Sequence, residues 1–509
     1  MVAVAERLQR LQLTNLRRLA LSRWGALFVL TGAAGIALRV WTYRSPLTIP
    51  NSDEALVGLM VRHAQHGEFS TFFWGRAYGG TQEVLLAVPG FWLFGTSLLA
   101  LRMVPIVLSV IATLLIWRVG RRTIGEPAAA VAAGLFWLWP PFNFLQLVRE
   151  QGFYASDVVY VALLLLLALR VVERPDRIRV GLFGLVFGLA FWQTAQIIPF
   201  AATAIVWTIW KQPRCLRAIW VAVPLAALGA LPWLVWNIGH HFESLSQNPG
   251  WQTYKHAARL LVSPVMPMTV GLRAPYTHAL FVPSALLTWL LYAGLVALFV
   301  YGWIKARGRP AGLLYAAVVV FALLYGLPRK TSFISAYPQY TTVLTPLLAL
   351  VVAQVATKYA RAVALLVLVF AITAVNLHRM QVWLKVPQPL PNAPRSYSPL
   401  ISTLDQLGLD RVYADYWIAY RLDFDTRERI IAVENQFSGV RFVDGQAIPS
   451  PDPEVRYRPY DREVEAAPRH GFVFWRQTVR SVSIVPALVQ HGYVRHLAGP
   501  FVVYAPPSA

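Results

Sequence analysis

The sequence predicts a polytopic α-helical membrane protein with about eleven transmembrane helices and a small extracytoplasmic α/β domain at its C-terminal end. The 509 residues are 57% hydrophobic and only 14% charged, whereas soluble proteins carry about 25% charged residues. Apolar runs long enough to span a membrane recur as far as residue 377. Beyond residue 390 the composition changes to charged residues and short apolar runs of strand length.

The transmembrane helices are predicted from apolar runs of about 17–25 residues. These runs lie near 25–42, 99–119, 128–147, 155–172, 180–197, 199–211, 216–237, 280–304, 311–327, 340–356 and 361–377. The amphipathic segment 82–96, which contains Pro89, is predicted to lie along the outer surface of the membrane. If it crossed the membrane, every later loop would change side and the charge bias between loops would be lost.

The basic residues predict the orientation of the chain. The net charge of +22 is spread over short clusters between apolar runs, as topology determinants are, so nucleic acid is not expected as a partner. With residues 1–24 as a basic cytoplasmic N-terminus, the short basic loops are cytoplasmic, and the longer loops 43–98 and 238–279 face the other side. We therefore expect a multi-pass plasma membrane protein.

Three further segments follow from composition. Residues 25–385 form the predicted transmembrane domain, which includes the outer loop 43–98, and residues 386–399 form a proline-rich linker. Residues 400–509 form the predicted α/β domain. Its strands are predicted at 411–414, 429–433, 472–475 and 501–504, and its helices at 399–408 and 481–491.

The placement of acidic residues indicates where a polar site lies. Thirteen of the 24 Asp and Glu residues follow residue 400, and none lies between Ser244 and Ser402. The few outer acids of the membrane half include Asp53 and Glu54, which begin an amphipathic helix. A carboxylate near hydrocarbon is costly unless it is paired or faces water. An N-cap role is the alternative, but two successive acids at this position favour a functional site.

Three other outer segments carry candidate binding residues. The glycine-rich segment 75–83 contains Arg76, Tyr78 and Glu83, and the turn after the third predicted span contains Arg149, Glu150, Tyr154 and Asp157. The segment 328–340 contains Arg329, Lys330 and Tyr337. Arginine and lysine at outer helix ends suit a phosphate group, with internal ion pairs or snorkelling to lipid headgroups as the alternatives.

Four sequence stretches together resemble the N-terminal half of the GT-C-fold glycosyltransferases. The similarity is to the protein O-mannosyltransferase and lipid A aminoarabinose transferase group within that fold. The stretches are Asp53-Glu54-Ala55…Gly67-Glu68-Phe69, Gly75…Tyr78-Gly79-Gly80-Thr81…Glu83, Phe94-Gly95-Thr96-Ser97…Arg102 and Arg149-Glu150…Tyr154…Asp157. Residues 25–240 carry the resemblance, and the later helices match by layout.

The resemblance implies transfer of one sugar from a polyprenyl-phosphate donor to an extracytoplasmic hydroxyl on a glycan, lipid or protein. Asp53 is then the expected general base of an inverting displacement. Glu54 is expected either to orient Asp53 or to help bind a divalent cation such as Mg²⁺ or Mn²⁺. The donor phosphate is assigned to Arg149, Arg329, Lys330 and Arg76, and substrate contacts to Tyr78, Glu83, Glu150, Tyr154, Asp157 and Tyr337.

Two alternatives belong to other functional classes. A flippase or transporter of lipid-linked sugars would carry charges near the bilayer midplane and often shows inverted repeats, and the sequence displays neither. A non-catalytic membrane protein that binds glycans predicts that Asp53 is dispensable.

Overall fold

The computed structural model describes residues 23–245, 250–328, 331, 338–386 and 393–507. The chain divides into two compact units. The helical unit comprises Met1–Arg44, Pro105–Val148 and Tyr154–Met380, and the sheet unit comprises Ser45–Val104, Arg149–Phe153 and Gln381–Ala509. The segments that carry Asp53 and Arg149 therefore belong to the same unit as the C-terminal residues.

Helices make up almost all regular structure before residue 390. They are α1 (Arg23–Tyr43), α2 (Ser52–Gln65), α3 (Gln82–Phe94), α4 (Leu98–Thr123), α5 (Glu126–Trp137), α6 (Pro141–Gln146), α7 (Tyr154–Glu173), α8 (Arg177–Gln193), α9 (Ile198–Lys211), α10 (Ile219–Gly229), α11 (Leu231–Gly239), α12 (Gly250–Leu260), α13 (Met266–Thr269), α14 (Ala285–Ala306), α15 (Gly312–Leu324), α16 (Thr345–Ala353) and α17 (Tyr359–Lys385).

Five described helices, α1, α4, α7, α14 and α17, are long and apolar enough to cross a membrane. A sixth span is formed if α10 and α11, which are bent by 64°, count as one. The chain is thus a helical membrane protein, and the count of about eleven spans stays a prediction. One predicted run, 128–147, is broken into α5 and α6, because Pro140 lies between the two helices and Pro141 begins α6, and proline inside a helix breaks it.

The segment 82–96 forms the short helix α3, with Pro89 inside it. Trp92, Leu93 and Phe94 at its end are 66%, 76% and 74% exposed. A helix of 13 residues is about 20 Å long, which is shorter than the hydrocarbon core. Its length and exposed apolar end favour the predicted position along the membrane surface.

The C-terminal residues form a sheet domain with flanking helices. Its elements are α18 (Ser398–Leu407), β1 (Arg411–Ala414), α19 (Tyr416–Asp425), β2 (Ile431–Glu434), β3 (Val440–Val443), β4 (Gln446–Pro449), α20 (Arg458–Glu465), β5 (Gly471–Trp475), α21 (Val485–Gln490), β6 (Val494–Ala498) and β7 (Phe501–Ala505). The main sheet has the order β2-β1-β5-β7-β6, and β3 and β4 form a separate hairpin.

Strand direction changes within the main sheet. β1 pairs in parallel with both β2 and β5, whereas β7 pairs antiparallel with β5 and β6. All five residues of β5 and of β7 are buried, as expected for central strands covered on both faces. The carboxyl ends of β2, β1 and β5 therefore lie along one edge of the sheet.

The four predicted strands are confirmed, although the second begins at Ile431 rather than at residue 429. The helix predicted at 399–408 is confirmed as α18, which ends where Gly408 takes a left-handed conformation with φ of 61°. The helix predicted at 481–491 is shorter than expected. It is confined to α21, and a 3₁₀ turn at Val479–Ser481 precedes it.

Candidate active site

The two acids that begin α2 lie in different surroundings. The side chain of Asn51 caps the helix by accepting a hydrogen bond of 3.1 Å from the backbone N–H of Glu54. Successive helical residues point about 100° apart. Asp53 is consequently half-buried, whereas Glu54 is completely buried.

Glu54 is enclosed by nitrogen donors. Arg102 donates from Nε and Nη2 to its two carboxylate oxygens, each at 2.6 Å, and the backbone N–H of Glu150 donates at 3.3 Å. Burial raises the pKa of Glu54, but Arg102 and Arg149 lower it to below its ordinary value overall. Glu54 is therefore a charged anchor that joins the start of α2 to α4 and to the loop 149–153.

Arg149 brings a second guanidinium to the same carboxylate. Its Nη2 lies 3.6 Å from Oε2 of Glu54, and its Nη1 donates to the carbonyl of Leu47 at 3.4 Å. Nε and Nη2 are buried and make no hydrogen bond within the described part of the chain. One carboxylate therefore faces two guanidinium groups, and the buried donors of Arg149 can serve a further acceptor.

Glu150 and Glu83 form a buried pair of acids beside this network. Both are at most 1% exposed. Burial raises the pKa of Glu150 well above its ordinary range, and the hydrogen-bonded Glu83 raises it further. Oε1 of Glu150 also accepts the N–H of Gly152 at 2.8 Å. The raised pKa favours the neutral form of Glu150, so Glu83 is the charged member of this pair of acids.

Asp53 contacts α19, the helix of the sheet domain that follows β1. The hydroxyl of Tyr416 donates to its Oδ1 at 2.5 Å. Tyr416 is the first residue of α19, whose N-cap Asp415 accepts the backbone N–H of Trp417 at 2.9 Å. Burial raises the pKa of Tyr416 well above its ordinary value, and the charge of Asp53 adds to this. Tyr416 therefore stays protonated and remains a donor.

A cavity of about 340 Å³ opens beside Asp53. Its lining is strongly polar and consists of Asp53, Arg76, Asp415, Tyr416, Trp417, Glu434, Asn435, Gln436, Asp452, Glu454 and Arg456. The guanidinium of Arg456 lies 5.4 Å from the ring centre of Tyr416, and Arg76 forms an ion pair of 2.5 Å with Glu454. The cavity is thus lined by five carboxylates, one of them Asp53, and by two arginines.

Glu434 is the second notable acid of this cavity. It accepts hydrogen bonds from the hydroxyl of Tyr420 at 3.1 Å and from the backbone N–H of Arg456 at 2.5 Å. Burial raises its pKa to about 7, in spite of the opposing charge of Arg456. Glu434 can consequently exchange a proton near neutral pH.

The donor set around Glu54 does not fit a divalent cation. The guanidinium groups of Arg102 and Arg149 already balance its charge, and their positive charge opposes a metal ion at the same carboxylate. In the residues that the structure describes, no three His, Cys, Asp or Glu side chains are grouped to hold a metal ion. We therefore assign no metal-binding role to Glu54.

The predicted site residues fall into four groups. Asp53 and Arg76 line the cavity, and half-buried Tyr78 lies close enough to Arg456 to influence the pKa of its guanidinium. Glu54, Glu83, Arg149 and Glu150 form the buried network. Tyr154 and Asp157 are buried in the first turn of α7, in the helical unit. Arg329, Lys330 and Tyr337 lie outside the described residues.

Sequence reasoning missed Tyr416, Glu434 and Arg456. The stretch Asp415-Tyr416-Trp417-Ile418-Ala419-Tyr420-Arg421-Leu422 is rich in aromatic and charged residues, which was the available signal. In the structure this stretch begins α19, and Nη1 of Arg421 donates to the carbonyl of Pro50 at 2.6 Å. A Cβ on Gly58 would lie 2.4 Å from the ring of Phe424, so glycine lets α19 approach α2.

Comparison with known proteins agrees with the sequence resemblance. A protein-family model described as dolichyl-phosphate-mannose-protein mannosyltransferase matches residues 86–236. ArnT from Cupriavidus metallidurans bound to undecaprenyl phosphate matches with a TM-score of 0.62 and 14% identity, covering 96% of this chain and 99% of that chain. Its apo form matches with a TM-score of 0.61 and 14% identity, over 95% and 98% of the two chains.

An oligosaccharyltransferase from Archaeoglobus fulgidus, tethered to an acceptor peptide, matches less well. Its TM-score is 0.49 at 14% identity, over 95% of this chain and 74% of that chain. No curated protein sequence matches this chain. The resemblance to the GT-C-fold glycosyltransferases that use polyprenyl-phosphate sugars is confirmed by the family match and by the shared fold with ArnT.

Proposed function

We propose that this protein is a membrane glycosyltransferase that moves a single sugar from a polyprenyl-phosphate donor to a hydroxyl of an extracytoplasmic acceptor. The observation that carries the proposal is Asp53, a half-buried carboxylate at the edge of a polar cavity that also contains Arg76 and Arg456. The relatives are consistent with it, since ArnT was solved with undecaprenyl phosphate bound.

Asp53 acts as the general base. One oxygen accepts a hydrogen bond from the hydroxyl of Tyr416, and the other is left to take the proton of the acceptor hydroxyl. The acceptor oxygen forms a bond to the anomeric carbon while the bond between that carbon and the phosphate oxygen breaks. The polyprenyl phosphate leaves with the electron pair, and the anomeric configuration inverts because a single displacement occurs.

Cations stabilise the leaving phosphate. Arg76 and Arg456 supply guanidinium groups inside the cavity, and Arg149 retains buried donors without hydrogen bonds to the described residues. Arg329 and Lys330 are proposed as further phosphate contacts on the basis of sequence. Tyr78, Glu83, Glu150, Tyr154, Asp157 and Tyr337 remain proposed substrate contacts. For buried Glu83 and Glu150 this requires the loop 149–153 to open.

Glu54 serves Asp53 indirectly. Its hydrogen bonds to Arg102 and to the backbone of Glu150 fix the first turn of α2, and Asp53 stands one residue earlier in that turn. Fixing the base reduces the conformational freedom that would otherwise be lost when substrates bind. This role fits the contacts of Glu54 better than proton transfer does.

The proposed topology places this site outside the cytoplasm. It requires about eleven spans, with a cytoplasmic N-terminus, and it rests on the short basic loops. The transmembrane domain 25–385, linker 386–399 and domain 400–509 are retained as proposed functional segments.

Transfer from a defined polyprenyl-phosphate sugar in reconstituted membranes tests the function, with Asp53→Asn as the inactive variant. A flippase would instead move the intact lipid-linked sugar across the bilayer and release no polyprenyl phosphate. A glycan-binding protein would do neither. Release of polyprenyl phosphate together with sugar incorporation therefore separates the three functions.

A further inference from the structure

A second cavity, of about 330 Å³, lies at the sheet of the C-terminal domain. Asp415, which directly follows β1, and Asn435 and Gln436, which directly follow β2, all line it. Trp475 at the end of β5 and Thr478 beyond it complete this edge. The cavity is therefore built from the carboxyl ends of the three parallel strands.

This edge is where α/β sheets bind ligands. From β1 the chain passes to β2 on one side, and it later returns to β5 on the other side, so the connections diverge between β1 and β5. Divergence opens a crevice outside the carboxyl ends of the strands, and small molecules bind there in open α/β sheets. Asp415 stands at this point of divergence.

The lining chemistry indicates what the second cavity holds. Hydroxyl groups come from Ser438, Thr478, Ser481 and Ser483, whereas Phe437, Phe474 and Trp475 supply apolar surface. Among the described residues that line it there is no lysine or arginine. Short polar groups beside aromatic rings suit a ligand that has many hydroxyls and apolar C–H faces, and the missing cations disfavour an anionic ligand.

Asp415 offers an acceptor within this lining. Its Oδ1 accepts the N–H of Trp417 at 2.9 Å and the ring N–H of Trp475 at 3.4 Å. Its Oδ2 makes no hydrogen bond to any described residue. Asp415 is half-buried and Gln436 is exposed. The side-chain oxygen of Gln436 makes no hydrogen bond to the described residues, so both side chains can bind hydroxyl groups.

The second cavity adjoins the one beside Asp53. Asp415, Asn435 and Gln436 line both. Trp417, which is 47% exposed, lines the first cavity next to these shared residues. An extended ligand bound along the sheet edge would therefore bring one end to Asp53.

We infer that this sheet edge is the acceptor site and that the acceptor is a neutral oligosaccharide. This inference rests on the proposed function, since it names the acceptor of that reaction. The saccharide lies along the carboxyl ends of the parallel strands and presents its terminal hydroxyl to Asp53. A peptide or an acidic lipid headgroup would require different lining chemistry.

Binding and transfer are measured separately with the full-length protein in nanodiscs. The probes are two fluorescent neutral hexasaccharides, mannohexaose and maltohexaose. They are immobilised beside four comparison ligands: the two sulfated hexasaccharides, an acidic peptide and lipid A. Ser438→Trp and Thr478→Trp fill the second cavity. Ser402→Trp is the matched control, because Ser402 is exposed on α18 of the same domain and lines neither cavity.

We expect at least one neutral hexasaccharide to bind, and each filling variant to weaken binding by about tenfold or more, as loss of a single good contact does. Ser402→Trp should bind as wild type does. The inference would be overturned if both filling variants bound the hexasaccharides as tightly as wild type does. It would also be overturned if only the sulfated, peptide or lipid probes bound. Thermal unfolding of each variant separates a filled cavity from a misfolded domain.

Sugar transfer distinguishes failure of this inference from failure of the proposed function. If wild type transfers sugar but no neutral hexasaccharide binds at the sheet edge, only the acceptor assignment is wrong. If hexasaccharide binds at this edge but Asp53→Asn transfers as wild type does, the proposed mechanism is wrong and the binding site stands.

Discussion

The hydroxyl of Tyr416 donates a hydrogen bond to the carboxylate of Asp53, although 363 positions separate the two residues in the sequence. This contact joins the acid predicted to act as a base to the C-terminal domain, for which the sequence indicated no chemistry. It follows that the C-terminal domain contributes directly to the candidate active site.

Removing this hydroxyl tests its contribution. Tyr416→Phe should lower kcat/KM for sugar transfer roughly 10- to 100-fold, because a hydrogen bond to a charged group contributes about 1.5–3 kcal/mol. Tyr504→Phe is the matched control, since Tyr504 is buried in β7 and lines neither cavity. Unchanged transfer by Tyr416→Phe would show that Asp53 does not depend on this donor.

The buried ion pair of Glu54 is expected to matter for stability. Arg102→Met removes the two 2.6 Å hydrogen bonds that Arg102 donates to the carboxylate of Glu54. Breaking a buried ion pair costs about 3–5 kcal/mol. The melting temperature in detergent should therefore fall markedly. The double variant Glu54→Gln with Arg102→Met should recover part of the loss, because the carboxylate that lost Arg102 is then a neutral amide, whereas Arg149 still loses its ion pair. A single variant as stable as wild type would contradict the role of Glu54 as an anchor.

A histidine network at the end of α2 predicts a pH optimum for stability. His63 contacts Glu428 at 2.7 Å and Glu68 at 2.6 Å. Burial lowers the pKa of His63, but these two carboxylates raise it above 6.5 overall. Burial raises the pKa of Glu428, but His63, Tyr460 and Arg62 lower it from 4.5 to about 2.

The signs of the two shifts set the pH window. The contribution of His63 is complete below pH 6.5 and is lost as the pH rises through its raised pKa. The contribution of Glu428 is complete above pH 4.5 and is lost as the pH falls towards 2. The melting temperature should therefore be highest between about pH 4.5 and pH 6.5 and should fall at lower and at higher pH. His63→Gln should remove the fall on the alkaline side, whereas His66→Gln, a change at the exposed residue that directly follows α2, should keep it.

A substitution at Gly152 tests whether the conformation of the loop 149–153, which carries Arg149 and Glu150, matters for stability and transfer. Its φ is +102°, and a Cβ there would lie 1.9 Å from the ring of Phe73. Gly152→Ala should therefore displace Phe73 or the loop, lowering both the melting temperature and transfer. Gly67→Ala is a matched control, because Gly67 also has positive φ, +88°, but open space around it. Equal effects of the two changes would show that backbone strain alone is responsible.

Much of the fold was predictable because its causes are local. Apolar runs predict helices and short buried runs predict strands, and both signals lie within a few residues of the element. The break between α5 and α6 was missed, since the apolar run continues across Pro140 and Pro141. Asp53, Glu54 and Arg149 were expected on one side of the membrane. In the structure Glu54 and Arg149 lie 3.6 Å apart, whereas Asp53 lines the cavity.

The partners of those residues were not predictable from sequence patterns. Arg102 binds Glu54 from 48 positions away, and Tyr416 binds Asp53 from 363 positions away. Neither spacing corresponds to a helical or strand period, because tertiary packing creates both contacts. The different burial of Asp53 and Glu54 likewise depends on what packs against each face of α2.

The variant Asp53→Asn tests whether Asp53 is the general base of sugar transfer. The variant keeps the size of the side chain and removes its ability to take a proton, so its melting temperature should stay close to that of wild type. Full-length wild-type and variant proteins, reconstituted with a panel of polyprenyl-phosphate sugars and neutral oligosaccharides, are compared by release of polyprenyl phosphate and incorporation of sugar. General-base catalysis contributes roughly 10²- to 10⁴-fold, so transfer by the variant should fall at least about 100-fold. Transfer at the wild-type rate by a folded Asp53→Asn protein would contradict the account.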